Sequence, residues 1–305
     1  MRFRAFWLIC AILAGHVQAS WKAPREQLDR RLVSAGFSIY YTLEGEHAFA
    51  ADVPAGKPRE TEAAARLEAL RVQLERADRF YREQLGLRPP FTGTRYADGQ
   101  GIEIHILKLE NKNGSTGDEL HRFEYRHFPP RTRVLTIALS NRWLPTSLTP
   151  AHELFHVYQY SYTFFKNAWF LEGMARTSES FFRIKPAREG QFPATLGALD
   201  ELLKESYSAD RFWNHLLGLC GPNILRALLE AFDHQDDRAA EKLGIDRKAW
   251  PESAQRAWAN NRYLLAGLRE TLTATHCPSM PGNADLENLR SLINHWLNRE
   301  ASLQR

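Results

Sequence analysis

The stretch LTPAHELFHVYQY, residues 148–160, sets two histidines four apart with a glutamate directly after the first. On an α-helix His152 and His156 lie about 40° apart around the axis and one turn apart along it, so both imidazoles can reach one ion. Glu153 follows about 100° further round, close enough to touch a water on that ion without having to ligate it. Zinc bound in this way lowers the pKa of its water to about 7, and a carboxylate at this position can take the proton as attack begins. This is the H-E-x-x-H metalloprotease spacing, but such a string also arises by accident in ordinary helices, so the third ligand decides its weight.

A catalytic zinc takes three protein ligands and keeps one position open, whereas structural sites close all four, commonly with Cys. The segment WFLEGMA supplies Glu172, 16 residues after His156. That interval lets the first helix finish near Tyr162, TFFKN turn the chain, and a second helix return antiparallel with Glu172 facing the histidines. Gly173 and Ala175 are small, which predicts close approach of this second helix to the site.

HELFH followed by WFLEGMARTSE resembles the gluzincins, zinc metallopeptidases with a His-Glu-x-x-His helix and a downstream Glu ligand. The resemblance is closest to the peptidase MA-like proteins, whose second helix reads Trp-x-x-Glu-Gly-x-Ala. It implies a zincin-like α+β fold, with a strand-rich N-terminal lobe, a helical C-terminal lobe and the active-site cleft between them. It implies His152, His156 and Glu172 as ligands of one Zn2+ and Glu153 as general base. Glu179, seven residues after Glu172, matches the carboxylate that orients a ligand histidine in the aminopeptidase pattern. The thermolysin pattern has Asp four residues after the ligand Glu; this chain has Arg176 there, a departure from that arrangement. For the donor to the developing oxyanion, relatives use a Tyr or His of the C-terminal lobe, and ESYSADRFWNHLL offers Tyr207 and His215, with Tyr207 preferred. Gluzincin substrates commonly add a strand to the sheet edge, for which 101–131 is the expected source. The Gly-x-Met-Glu-Asn strand of the alanyl aminopeptidases is absent.

The elements that must position these residues follow from periodicity. FSIYYTLEG alternates Phe37, Ile39, Tyr41 and Leu43 with polar neighbours, a strand with one buried face. Leu67, Leu70, Leu74, Ala77, Tyr81 and Leu85 recur at spacings of three and four, an amphipathic helix ending at Gly86. GIEIHILKL and RVLTIAL read as two more strands, separated by a polar, Asn- and Gly-bearing stretch over 110–131. Thr149 and Pro150 make an N-cap and first-turn pair for the motif helix. From there the chain reads as helical almost throughout, with helices over roughly 195–230 and 247–274 and a last one in LENLRSLINHWL. The expected organisation is a leader over 1–19, an α/β lobe over 20–148 and a helical lobe over 149–305. His105, His121 and His127 lack metal spacing and read as polar surface or strand residues.

The 305 residues are 44% hydrophobic and 25% charged, the composition of a soluble globular protein. Arg2 and Arg4, the apolar run Ala5–Gly15 and small residues at Val17 and Ala19 have the anatomy of a secretory signal peptide cut after Ala19. The run is too short to span a bilayer, so no membrane span is expected after cleavage, and the protein is expected in the periplasm or outside the cell. Without Arg2 and Arg4 the 40 Lys and Arg fall by two against 36 Asp and Glu, a net charge near +2 that calls for no nucleic-acid partner. Cys10 leaves with the leader, and Cys220 and Cys277 remain as a candidate disulfide in an oxidising compartment. The leading expectation is a zinc metallopeptidase acting on a peptide or protein. Because metal and base do not encode the substrate, two alternatives stand: hydrolysis of cell-wall or other non-peptide amides and esters, and a gluzincin-fold binding protein without catalysis.

Overall fold

Ala35 and Gly36 both adopt positive φ, 42° and 91°, the reversal whose twist matches a pair of antiparallel strands. It joins β1 (Arg30–Ser34) to β2 (Phe37–Tyr41), with Ser34 opposite Phe37. β3 (Ile102–Leu107) pairs parallel to β2, and β5 (Leu135–Ser140) parallel to β3. β4 (Gly114–Thr116) runs antiparallel to β5, giving the order β1-β2-β3-β5-β4 with β4 at an edge. The computed structural model describes residues 21–303 apart from 55, 57, 130–132, 184–189, 276 and 278–283. The expected leader lies outside the described residues.

The fold is mixed α/β. Its helices are α1 (21–26), α2 (Arg59–Glu83), α3 (Thr149–Tyr162), α4 (Ala168–Glu179) and α5 (Leu196–Leu202). After them come α6 (Asp210–Cys220), α7 (Ile224–Leu243), α8 (Glu252–Gln255), α9 (Asn261–Ala274) and α10 (Ala284–Leu303). The chain forms two units, one of residues up to Glu75 with Asp98–Glu153, the other of Arg76–Ala97 with Leu154–Arg305. The division falls inside the unbroken helices α2 and α3.

In the first unit the strand registers set Ile39, Ile104 and Ile137 in one row across the sheet, and Tyr40, His105 and Ala138 in the next. Successive side chains point to opposite faces, so the two rows belong to different faces. Both are buried: Ile104, Ile137, Tyr40 and His105 are at 0% exposure. This corrects the reading of β2 as a half-buried strand, because a parallel strand inside a sheet is covered on both sides. His105, read as a polar surface or strand residue, lies on β3 and is buried, where Tyr125 and Phe123 pack with Tyr40 and Leu28. Tyr125 stacks on Tyr40 at 4.2 Å between ring centroids. β4 lies within the stretch read as polar and irregular.

In the second unit, the stretches predicted helical over 195–230 and 247–274 are each broken into several helices, while LENLRSLINHWL lies whole within α10. Gly221 and Gly244, both at positive φ, follow α6 and α7. Gly244 is in the left-handed helical conformation, and its N–H donates back to Ala240 O and Glu241 O, which satisfies last carbonyls and stops the helix. Cys220, closing α6, is bonded to Cys277 beyond α9, 57 positions further along the chain. Trp169 of α4 stacks on Trp213 of α6 at 5.2 Å, and the Trp213 indole N–H donates to Trp169 O at 2.9 Å. No helix among the described residues is long and apolar enough to cross a membrane.

Candidate metal centre

Residues Ala151–Gln159 of α3 are all buried, so this helix has no solvated face over its middle turns. A helix enclosed all round is normally apolar. Here it carries His152, Glu153, His156 and Gln159, at 6%, 7%, 4% and 0% exposure. Burying such groups is unfavourable unless each finds a partner, and the partners define the site. The residue before the helix is Leu148, whose carbonyl receives the His152 N–H at 3.0 Å. Thr149 is therefore inside the first turn instead of capping it, while Ser147 Oγ accepts from Thr149 N at 3.4 Å.

His152, His156 and Glu172 each offer a ligand atom, and these atoms all lie within 4.8 Å of one another. His156 Nε2 is 3.6 Å from Glu172 Oε2. Ligands held about 2.0–2.2 Å from one zinc in a tetrahedron are separated by roughly 3.3–3.6 Å. Two imidazoles and a carboxylate are a donor set that fits zinc.

The other nitrogen of His156 is tied down. Gln159 Nε2 donates to Phe170 O at 3.4 Å and Leu171 O at 3.2 Å, so the opposite end of its amide is the oxygen. That oxygen is 2.8 Å from His156 Nδ1, which must then donate. Nδ1 carries the proton and Nε2 keeps its lone pair toward Glu172. The same amide grips the two carbonyls just before Glu172, so one side chain sets both the tautomer of one ligand and the placement of the helix bearing another. Sequence reasoning did not single out Gln159; its signal was an amide three residues after a ligand histidine.

Glu153 has its own partner on β4. Thr116 Oγ1 lies 2.7 Å from Glu153 Oε2 and 2.8 Å from Glu153 O, donating its single proton between them. Gly114, two residues back on β4, lies against the same carboxylate. A Cβ there would stand 2.6 Å from Thr149 Cγ2, 2.7 Å from Glu153 Oε1 and 2.8 Å from Glu153 Cγ, closer than packed carbon atoms come. Only glycine leaves room for Glu153 on this side.

α4 is set by the turn before it. Thr163 Oγ1 donates to Asp236 Oδ1 at 3.0 Å and Phe164 N to Asp236 Oδ2 at 2.6 Å. Arg247 bridges Asp236 at 3.1 Å and Asp233 at 2.7 Å. Burial pushes the Asp236 carboxyl up to about 7, against the pull of the Phe164 N–H, Arg247 and the Thr163 hydroxyl. Asn167 and Trp169 both donate to Asn261 Oδ1 at 2.9 Å. Gly173 does not serve approach to the metal ligands as expected; its bare α-carbon receives Ala209 and Trp213, which a Cβ would meet at 2.8 and 2.9 Å.

Of the remaining sequence candidates, Glu179 ends α4 and pairs with Arg183. Tyr207 is half exposed at the start of a 3-10 turn, its ring 5.9 Å from the Arg176 guanidinium. Arg176, one turn after Glu172, pairs with buried Asp210 at 3.2 Å. His215 stands against Phe192, ring centroids 4.5 Å apart, with Nε2 4.0 Å from Asp285. The chain therefore brings together the three ligand candidates, His152, His156 and Glu172. His127 is exposed, and the half-buried His121 has its imidazole pushed down to about 4, first by burial and then by Lys22 and Arg25.

No protein-family model, curated protein or solved structure matches this chain.

Proposed function

We propose that this chain is an exported zinc metallopeptidase of gluzincin type. The observation that carries the reading is the convergence of His152, His156 and Glu172 on one point, with Glu153 beside them but committed to Thr116. Bound zinc would act as a Lewis acid on the scissile carbonyl and acidify the attacking water. Glu153 takes the proton of that water and returns it to the leaving amine. The Thr116 hydroxyl fixes the plane of its carboxylate, and Gly114 gives it room. Gln159 keeps His156 in the tautomer with a free Nε2. Tyr207, tethered near α4 through Arg176, is the donor proposed for the oxyanion, in preference to His215. The peptide lies extended along β4, whose outer edge borders the residues holding Glu153. The Cys220–Cys277 disulfide suits an oxidising compartment outside the cytosol.

The test is digestion of a diverse peptide library by the zinc-loaded protein, beside Glu153→Gln, read by mass spectrometry. New termini that vanish in the variant are expected. A folded, zinc-bound protein that cuts no peptide would overturn the peptidase reading and direct the search to non-peptide amides and esters.

A further inference from the structure

Between the loop that enters β4 and the loop that leaves β5 lies a cavity of about 410 Å³, lined among others by Leu109, Lys112, Asn113, Arg142, Trp143 and Leu144. Both loops belong to the first unit, and they are tied together where Ser140 N donates to Asn113 O at 3.0 Å. Lys112 stands two residues before Gly114, the residue that leaves room for Glu153. A peptide extended beside β4 advances about 3.3 Å per residue, as the strand itself does. The peptide residue level with Lys112 is therefore about two from the one level with Gly114.

The charge of the lining is one-sided. Lys112 and Arg142 are both exposed, so their charged ends are open to a ligand. Among the described residues no Asp or Glu lines the cavity, and neither of these side chains forms an ion pair or a hydrogen bond. Arg142 also acts on the Asp52 carboxylate, but both oxygens of that group are already taken by Arg66, at 2.7 and 3.0 Å. Two cations without a counter-ion in one concavity attract an anion. A free guanidinium also presents the two parallel N–H donors that fit a carboxylate. Leu109, Trp143 and Leu144 add an apolar wall, with Leu144 45% exposed. The occupant that suits both parts carries its carboxylate on a hydrocarbon stem, as the residues of a peptide do.

We propose that Lys112 and Arg142 take a carboxylate of the bound peptide in this cavity, an acidic side chain or the free C-terminus, about two residues from the bond that Glu153 serves. The peptide as source rests on the peptidase reading; the anion site itself does not. The test measures binding of peptide pairs to the zinc-loaded Glu153→Gln protein by calorimetry. One series carries Glu against Gln at each position in turn, with both ends capped; the other carries a free C-terminal carboxylate against an amide. Succinate serves as a free carboxylate probe. Binding tighter by roughly fivefold or more for the acidic member at one register is expected, shrinking in high salt. The series that shows it identifies the carboxylate as side chain or C-terminus. The preference should vanish when Lys112→Met and Arg142→Met are combined, with melting temperature, zinc content and binding of the neutral peptides unchanged. A preference that survives the double variant would overturn the assignment to this cavity. Succinate binding that depends on the two cations, without any peptide preference, would keep the anion site and overturn its peptide source. No preference in either series, with succinate binding absent or indifferent to the double variant, would overturn the subsite. Acid-preferring binding by a protein whose wild type cleaves no peptide would sink the peptidase reading alone.

Discussion

His156 has two ring nitrogens, and only the one not engaged by Gln159 can meet an ion. Partners of this kind fix ring orientation, and their loss typically weakens metal affinity by about 10–100-fold. Gln159→Leu should show a loss of that size in competition with a chromophoric chelator, whereas Gln159→Glu, which keeps an acceptor for Nδ1–H, should retain most of the affinity. Wild-type affinity in Gln159→Leu would remove this role. Gly114→Ala places a methyl group against Thr149 and the Glu153 carboxylate. Peptide turnover should fall roughly 10–100-fold from misplacement of the base, with zinc content unchanged and about 1–3 kcal/mol lost in urea unfolding. Full turnover in that variant would mean that Glu153 does not act from its present position. The His152–His156 pair was legible in the sequence because helix geometry alone relates the two residues. Gln159 and Gly114 were not, since the main-chain carbonyls and the carboxylate they serve become their neighbours only on folding.

The turn 163–167 decides how α4 returns to α3, and Asp236 of α7 holds it by two hydrogen bonds. In the folded chain this carboxyl keeps its proton to about pH 7, against an ordinary value of 3.8. A group that binds its proton more tightly when folded adds stability below its ordinary pKa and loses that contribution as pH rises through the folded value. Thermal midpoints measured across that window should fall with rising pH more steeply for the wild type than for Asp236→Asn, the two curves running parallel above about 7. Parallel curves throughout would show that Asp236 is ionised in the fold. At this scale the sequence marked α3 and α4 well, because TFFKN interrupts two strongly patterned helices. β4 escaped notice: three residues are too few for an alternation to show, and its pairing with β5 is non-local. The helices after 195 were merged, since hydrophobic spacing continues across their short breaks.

For the whole molecule, the mixture of strands and helices was legible from periodicity, whereas the strand order β1-β2-β3-β5-β4 was not, because it depends on pairings between segments far apart in the chain. The candidate disulfide rested on parity of cysteines, and the bonded sulfurs of Cys220 and Cys277 close a loop worth about 4 kcal/mol in the chain-entropy model. What joins fold to function is a single claim: His152, His156 and Glu172 are one metal centre and Glu153 is not a ligand of it. The direct measurement is bound zinc per chain, by plasma mass spectrometry after loading and exhaustive dialysis, for the wild type beside His156→Ala, Glu172→Ala and Glu153→Gln. One zinc per chain in the wild type and in Glu153→Gln, with little or none in the other two, is the expected result. A wild type that retains no metal, or zinc that persists without His156 and Glu172, would contradict it.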